Sequence, residues 1–124
     1  MKVQRKEGLS MFGIGGSTEE KMQHLVRKKQ WEKLRGKYLY SDANTRICLA
    51  KACGDSKSDE SVNLLLAILE GNEEEVQIAA LSALGKVGTD HVTSTLHLLL
   101  EKVPSENSKL RDAVLNSLNQ IRNR

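Results

Sequence analysis

Two cysteines, three histidines and a run of glutamates are the side chains of this 124-residue sequence best equipped for nucleophilic, metal-binding or acid-base chemistry. Cys48 and Cys53 are five positions apart, a rotation of about 140° on a helix, so their thiols diverge and can neither pair within the helix nor share a metal. His91 and His97 stand six apart, about 240° around a helix, and His24 is remote from both, so the histidines make no two-ligand metal site. Glu73-Glu74-Glu75 gathers three carboxylates, but acids are expected in the first turn of a helix, where they meet the positive end of its dipole. Gly13-Ile-Gly-Gly16 lacks the preceding strand and the Lys-Ser/Thr ending of a phosphate loop. No catalytic constellation and no cofactor are expected.

Charge offers a second kind of site. Residues 1–40 hold ten basic and four acidic residues, a net of +6 in a chain whose total is +3. The cluster Arg27, Lys28, Lys29, Lys33, Arg35 and Lys37 has Trp31, Tyr38 and Tyr40 nearby for stacking. Such a basic end attracts nucleic acid or an acidic partner, and equally describes a solvated helix face. Nucleic-acid binding is accordingly the alternative reading, with a protein partner as the principal one.

The elements that would position these residues are announced by a ten-residue phrase that occurs three times. The copies are Thr45-Arg-Ile-Cys-Leu-Ala-Lys-Ala-Cys-Gly54, Val76-Gln-Ile-Ala-Ala-Leu-Ser-Ala-Leu-Gly85 and Leu110-Arg-Asp-Ala-Val-Leu-Asn-Ser-Leu-Asn119. Their second residues, Arg46, Gln77 and Arg111, are spaced by 31 and 34 residues. A period of this size marks a helical repeat array, in which no unit can bury its apolar face alone. Composition agrees: aromatic residues are 3%, proline occurs once, and Leu and Ala dominate the apolar set. Columns one, four, five, eight and nine of the phrase are apolar or small and define a broad buried face. Cys48 shares a column with Ala79 and Ala113, and Cys53 with Leu84 and Leu118, so both cysteines are expected to be core residues. Two such free thiols fit a reducing, cytoplasmic compartment.

The helix boundaries follow from capping signals. Ser17 and Glu20 have capping-box spacing and open a leading helix over 17–29 with one apolar stripe, the signature of a cap. A helix from Trp31 to about Tyr40 presents Trp31, Leu34 and Tyr38. Ser41 and Asp42 start the next, which Gly54 closes with a left-handed turn. Ser58 and Asp59 open a helix carrying Val62, Leu65, Leu66 and Leu69, closed by Gly71, and Asn72 with Glu75 has N-cap spacing for the helix after it. The third pair begins at Thr89-Asp90, breaks at Pro104 and restarts between Ser105 and Ser108. The expected organisation is a flexible tail over 1–16, which is too short and glycine-rich in its apolar stretch to be an export signal, and helix pairs over about 30–56, 57–88 and 89–124. No stretch approaches the ~18 apolar residues of a membrane span.

The phrase, best in Val76 to Gly85, resembles the HEAT repeat, particularly the short variety of phycobilisome lyase subunits and many small bacterial proteins. Gln77 stands where the pattern has Arg, which Arg46 and Arg111 keep, and Asn119 stands where it has Gly. The resemblance covers roughly residues 30–122 and implies an all-α fold, a right-handed α-α superhelix or α-solenoid. It also implies that the second helices line a concave face where a protein or peptide binds. The exposed ridge on that face would be Asn44, Ile47 and Lys51, then Glu75, Ile78, Ser82 and Lys86, then Lys109, Asp112, Asn116 and Gln120. By analogy alone, a phycobilisome-type lyase or chaperone subunit is a further alternative. HEAT-like DNA glycosylases grip DNA in a concave basic channel, whereas the cations here lie at the N-terminal end. The run Leu98-Leu99-Leu100, with no further unit to cover it, predicts weak self-association through residues 92–121.

Overall fold

The computed structural model describes residues 17–124, and all regular elements among them are α-helices. The tail expected over 1–16, with its glycine run, lies outside the described residues. Helix α1 (Thr18–Arg27) starts with the expected reciprocal cap, in which the Ser17 N–H donates to Glu20 Oε1 at 2.8 Å and the Glu20 N–H to Ser17 Oγ at 3.2 Å. It ends in a left-handed residue, Lys29, at φ 59°, with Lys29 N–H bonded to the Val26 carbonyl and Gln30 N–H to that of Leu25. Glycine normally takes this position, and lysine holds it against the clash of its own Cβ.

Helix α2 (Trp31–Tyr38) buries Leu34 and Tyr38. It stops two residues before the expected end. Helix α3 (Ala43–Cys53) is capped by Asp42, whose carboxylate accepts the Thr45 N–H at 2.8 Å. Helix α4 (Asp59–Leu69) is capped by Ser58, and α5 spans Glu74–Val87. The cap expected at Asn72 is not formed: Glu73 holds the N-cap position of α5 and gives it no side-chain bond. Its carboxylate is committed elsewhere, to Arg46 at 3.0 Å. Helix α6 (Asp90–Lys102) ends at Val103, which is extended at ψ 125° as a residue before proline must be. Asn107 caps α7 (Ser108–Arg122) through Leu110 N–H and binds Glu74 Oε1 with its own amide at 2.8 Å.

The helices form two layers. In one, α1, α3, α5 and α7 lie side by side, each packing directly on the next; in the other, α2, α4 and α6 cover them. Helix α1 is therefore more than a cap, because it extends the row of second helices by one member. Contact is close along that row, whereas α4 and α6 barely meet. An array drawn together on one side and splayed on the other curves, with the row of second helices inside.

Small residues permit the close approach. A Cβ on Gly54 would come within 3.1 Å of Ala83 Cβ, and one on Gly85 would collide with the Gln120 side chain. The left-handed turn expected at Gly54 is absent, since its φ is −67°. Gly54 is needed for space between helices, not for its backbone freedom. Columns five, eight and nine are buried in all three copies, but column four, which includes Cys48, is only half-buried. Column six was not expected in the core, yet Ala50 and Leu81 are fully buried there because the following second helix covers them. In the last copy no further helix among the described residues covers this column, and Leu115 of column six is 40% exposed while Asn119 of the glycine column faces solvent.

Cys53 lies fully inside this core, where burial pushes its thiol up to about 12, opposed in part by the Ser61 hydroxyl. That hydroxyl donates to the Cys53 carbonyl at 2.5 Å and joins α4 to the end of α3.

Three outcomes follow from this architecture. Gly54→Leu should cost about 1–3 kcal/mol by overpacking the α3–α5 contact, while Asn119→Leu, in the same column, should stay within about 0.5 kcal/mol of the parent in urea denaturation. Lys29→Gly should stabilise the chain by about 1 kcal/mol by relieving the left-handed turn. For the thiols, a disulfide reagent should label Cys48 in the native protein and Cys53 only after unfolding. Because the folded pKa of Cys53 exceeds the ordinary 9.0, its contribution is intact below pH 9.0 and is lost between there and about 12, as the unfolded thiol ionises first. Cys53→Ala should flatten that part of the alkaline decline in melting temperature.

Candidate functional site

On the inner face of the row, all eleven ridge residues reach solvent. Asn44, Lys51, Glu75, Ser82, Lys86, Lys109, Asp112, Asn116 and Gln120 are exposed, whereas Ile47 and Ile78 are half-buried and pack against the core. The helical period explains the difference, because column three lies at the edge of the buried face and column seven beyond it.

Between α5 and α7 the surface opens into a groove of about 460 Å³. It brings together Ile78, Ser82, Asn116 and Gln120 from the expected ridge, and adds Ala113, Ser117 and Asn119. Ser117 is already committed, its hydroxyl donating to the Leu81 carbonyl at 2.8 Å. The groove thus has a small apolar floor, Ile78 and Ala113, and a rim of one hydroxyl and three amides that carry no formal charge. Such a rim can donate to and accept from a peptide backbone, or hold uncharged side chains. Ala113 and Asn119 escaped sequence reasoning. The signal was present in column four, where residues are uniformly small and leave the helix flank open. Asn44, Lys51, Glu75, Lys86, Lys109 and Asp112 lie along the same face but outside this groove.

Two members of column two, Arg46 and Gln77, turn out to be structural. Arg46 reaches the turn of the next unit, where its Nη1 pairs with Glu73 Oε1 at 3.0 Å. Gln77 reaches the same turn from the other side, its amide donating to the Gly71 carbonyl at 2.9 Å and to that of Leu69 at 3.4 Å. Arg and Gln in one column therefore converge on one turn. The ion pair itself, half exposed at Glu73, is worth about 0–1 kcal/mol. With Glu73 bound to Arg46 and Glu74 to Asn107, the glutamate run joins units together.

The basic cluster is exposed throughout: Arg27, Lys28, Lys29, Lys33, Arg35 and Lys37 all face solvent. Its aromatic partners are less available than the sequence suggests. Tyr38 is buried at 6% exposure and Trp31 is half-buried, because both belong to the face of α2 that packs inward, and only Tyr40 stands open at 89%. Stacking of bases on Tyr38 is therefore excluded. His24, His91 and His97 are exposed on α1 and α6. Among the described residues no three His, Cys, Asp or Glu side chains gather as a metal site, and no helix is long and apolar enough to cross a membrane.

The C-terminal residue adds a contact that sequence reasoning missed. The Arg124 guanidinium donates to the carbonyls of Gly85 and Lys86, both at 2.6 Å, and to that of Gly88, at the end of α5. A cation there also meets the negative end of the α5 dipole.

Comparison with known proteins agrees with this geometry. The family model for HEAT repeats matches residues 36–119, which takes in α3 to α6 and most of α7. No curated protein and no solved structure matches the chain. Two layers of packed helices, a recurring phrase on α3, α5 and α7 and a family match over most of the sequence lead to one assignment: the chain belongs to the HEAT-repeat family.

Proposed function

We propose that this protein is a non-enzymatic interaction module, a small scaffold or adaptor that holds a protein or peptide on the inner face of its array. HEAT repeats generally mediate protein-protein interaction. The single observation that carries the reading for this chain is the α5–α7 groove, where Ile78 and Ala113 lie beneath Ser82, Asn116 and Gln120. Apolar contact rimmed by hydrogen-bonding groups is the anatomy of a protein interface, and amide side chains satisfy a peptide backbone without demanding a charged ligand. The neutral rim also argues against a polyanion in this groove. No residue arrangement favours a bilin-lyase role.

A photo-cross-linking amino acid at Ser82 or Asn116, introduced in the native cell, should yield one discrete larger adduct, and the same residue at Asn63 or Ser94 on the outer helices should not. Asn116→Arg should abolish the adduct formed at position 82 while leaving the melting temperature within about 2 °C of the parent. Ile78→Arg is a less clean probe, because Ile78 also packs against the core. Adducts confined to the outer positions would overturn the groove assignment.

A further inference from the structure

Gly36 lies inside helix α2, on the side opposite Leu34 and Tyr38, and a Cβ built on it meets nothing within 4 Å among the described residues. The helix gains nothing from this glycine, since alanine would fit and would raise helix propensity. Gly54 and Gly85 each lie against a neighbouring helix, Gly54 against Ala83 and Gly85 against the Gln120 side chain, whereas Gly36 faces no described residue. A bare backbone at the centre of an exposed helix face is what a close-approaching partner needs. The surroundings state the sign of that partner. At helical spacing Lys33 and Lys37 flank Gly36 on one side and Arg35 on the other, all exposed, and Tyr40 projects at the end of the helix with 89% of its surface free.

We infer that the outer face of α2, centred on Gly36, is a second interaction surface, whose partner is an acidic protein segment that approaches the bare helix backbone and packs an apolar side chain against Tyr40. Charge complementarity selects the occupant. The chain's own residues 2–7 carry Lys2, Arg5 and Lys6 against a single Glu7, so they share the sign of the surface and are repelled from it. A nucleic-acid backbone is disfavoured by Glu32, which lies one turn before Gly36 on the same face and interrupts the track of cations. Discrete carboxylates on a protein can avoid Glu32; a phosphate at every step cannot. The surface lies on the outer layer, so it goes beyond the inner-face reading and stands without it.

The test uses a random dodecapeptide library displayed on phage and selected on the full chain, after which the enriched peptides are titrated against Gly36→Leu and the Lys33→Glu/Lys37→Glu double variant. The expected result is enrichment of peptides rich in Asp and Glu with at least one large apolar residue. Their affinity should fall at least about tenfold on Gly36→Leu and further on the double variant, and should weaken as salt is raised. Gly36→Ala should meanwhile raise the melting temperature by about 2–6 °C, which separates a binding role from a folding one. Peptides that bind Gly36→Leu equally well, an absence of acidic enrichment, or tighter binding of a mixed-sequence 20-nucleotide DNA or RNA than of the best selected peptide would each overturn the inference. So would a fall in melting temperature on Gly36→Ala.

Discussion

Everything else in this fold depends on how closely the second helices of successive units approach one another. The contact is made by alanines and glycines: Ala50 and Ala52 on α3, Ala80, Ala83 and Gly85 on α5, with Gly54 at the end of α3 pressed against Ala83. Small side chains bring backbones together and let the Leu-rich helices of the other layer splay, so one constraint sets both the stacking and the curvature. It also sets the function class. A row of helices whose buried columns are fixed by mutual contact leaves its solvent edge free to vary, and in this chain the inner edge reads Lys51, Ser82 and Asn116 from one copy to the next.

Close stacking alone does not fix the order of units; the polar contacts between them do. Ser61 ties α4 to the carbonyl of Cys53, Ser117 ties α7 to that of Leu81, and Arg46 with Gln77 closes on the turn between α4 and α5. Two of these four contacts, those to the carbonyls of Cys53 and Gly71, fall at or just beyond a helix end, where backbone acceptors have no partner within the helix. Arg124 does the same for the end of α5. The array is therefore apolar in its driving force and polar in its register.

Much of this was legible in the sequence, because repetition exposes what each column is for. The column of Cys53, Leu84 and Leu118 read as core and is core. The column of Cys48 was read the same way and is only half-buried, because small residues there do not distinguish a filled interior from an open flank. Column six was missed for the opposite reason. Its third member, Leu115, is exposed, and its burial in the other copies depends on a helix some thirty residues away. The capping box at Ser17, the caps at Asp42 and Ser58 and the break at Pro104 were visible because they act within four residues of themselves. The diversion of Glu73 to Arg46 was not, since nothing local says that a carboxylate at a helix start will prefer a guanidinium from the preceding unit. The same limit applies to the candidate groove: Ile78 and Ser82 were placed by periodicity, but their meeting with Asn119 required the distance between α5 and α7.

The glycines bring these threads together. In a repeat array a glycine invites a structural explanation, and column ten supplies one: Gly54 and Gly85 where another helix of the row packs on the position, Asn119 where none among the described residues does. That correspondence makes space between helices, not backbone freedom, the reason for glycine here, because the position changes identity when the neighbour disappears. Applied to α2, the same rule gives a different result. Gly36 has no neighbour to accommodate, yet it weakens a helix of only eight residues, where propensity matters more than in a long, well-buried one. A local cost of about 0.5–1 kcal/mol relative to alanine, set among exposed cations, is unexplained by any contact among the described residues. The inner face owes its form to what the repeats need from one another, while the outer face of α2 carries a glycine that no contact among the described residues accounts for.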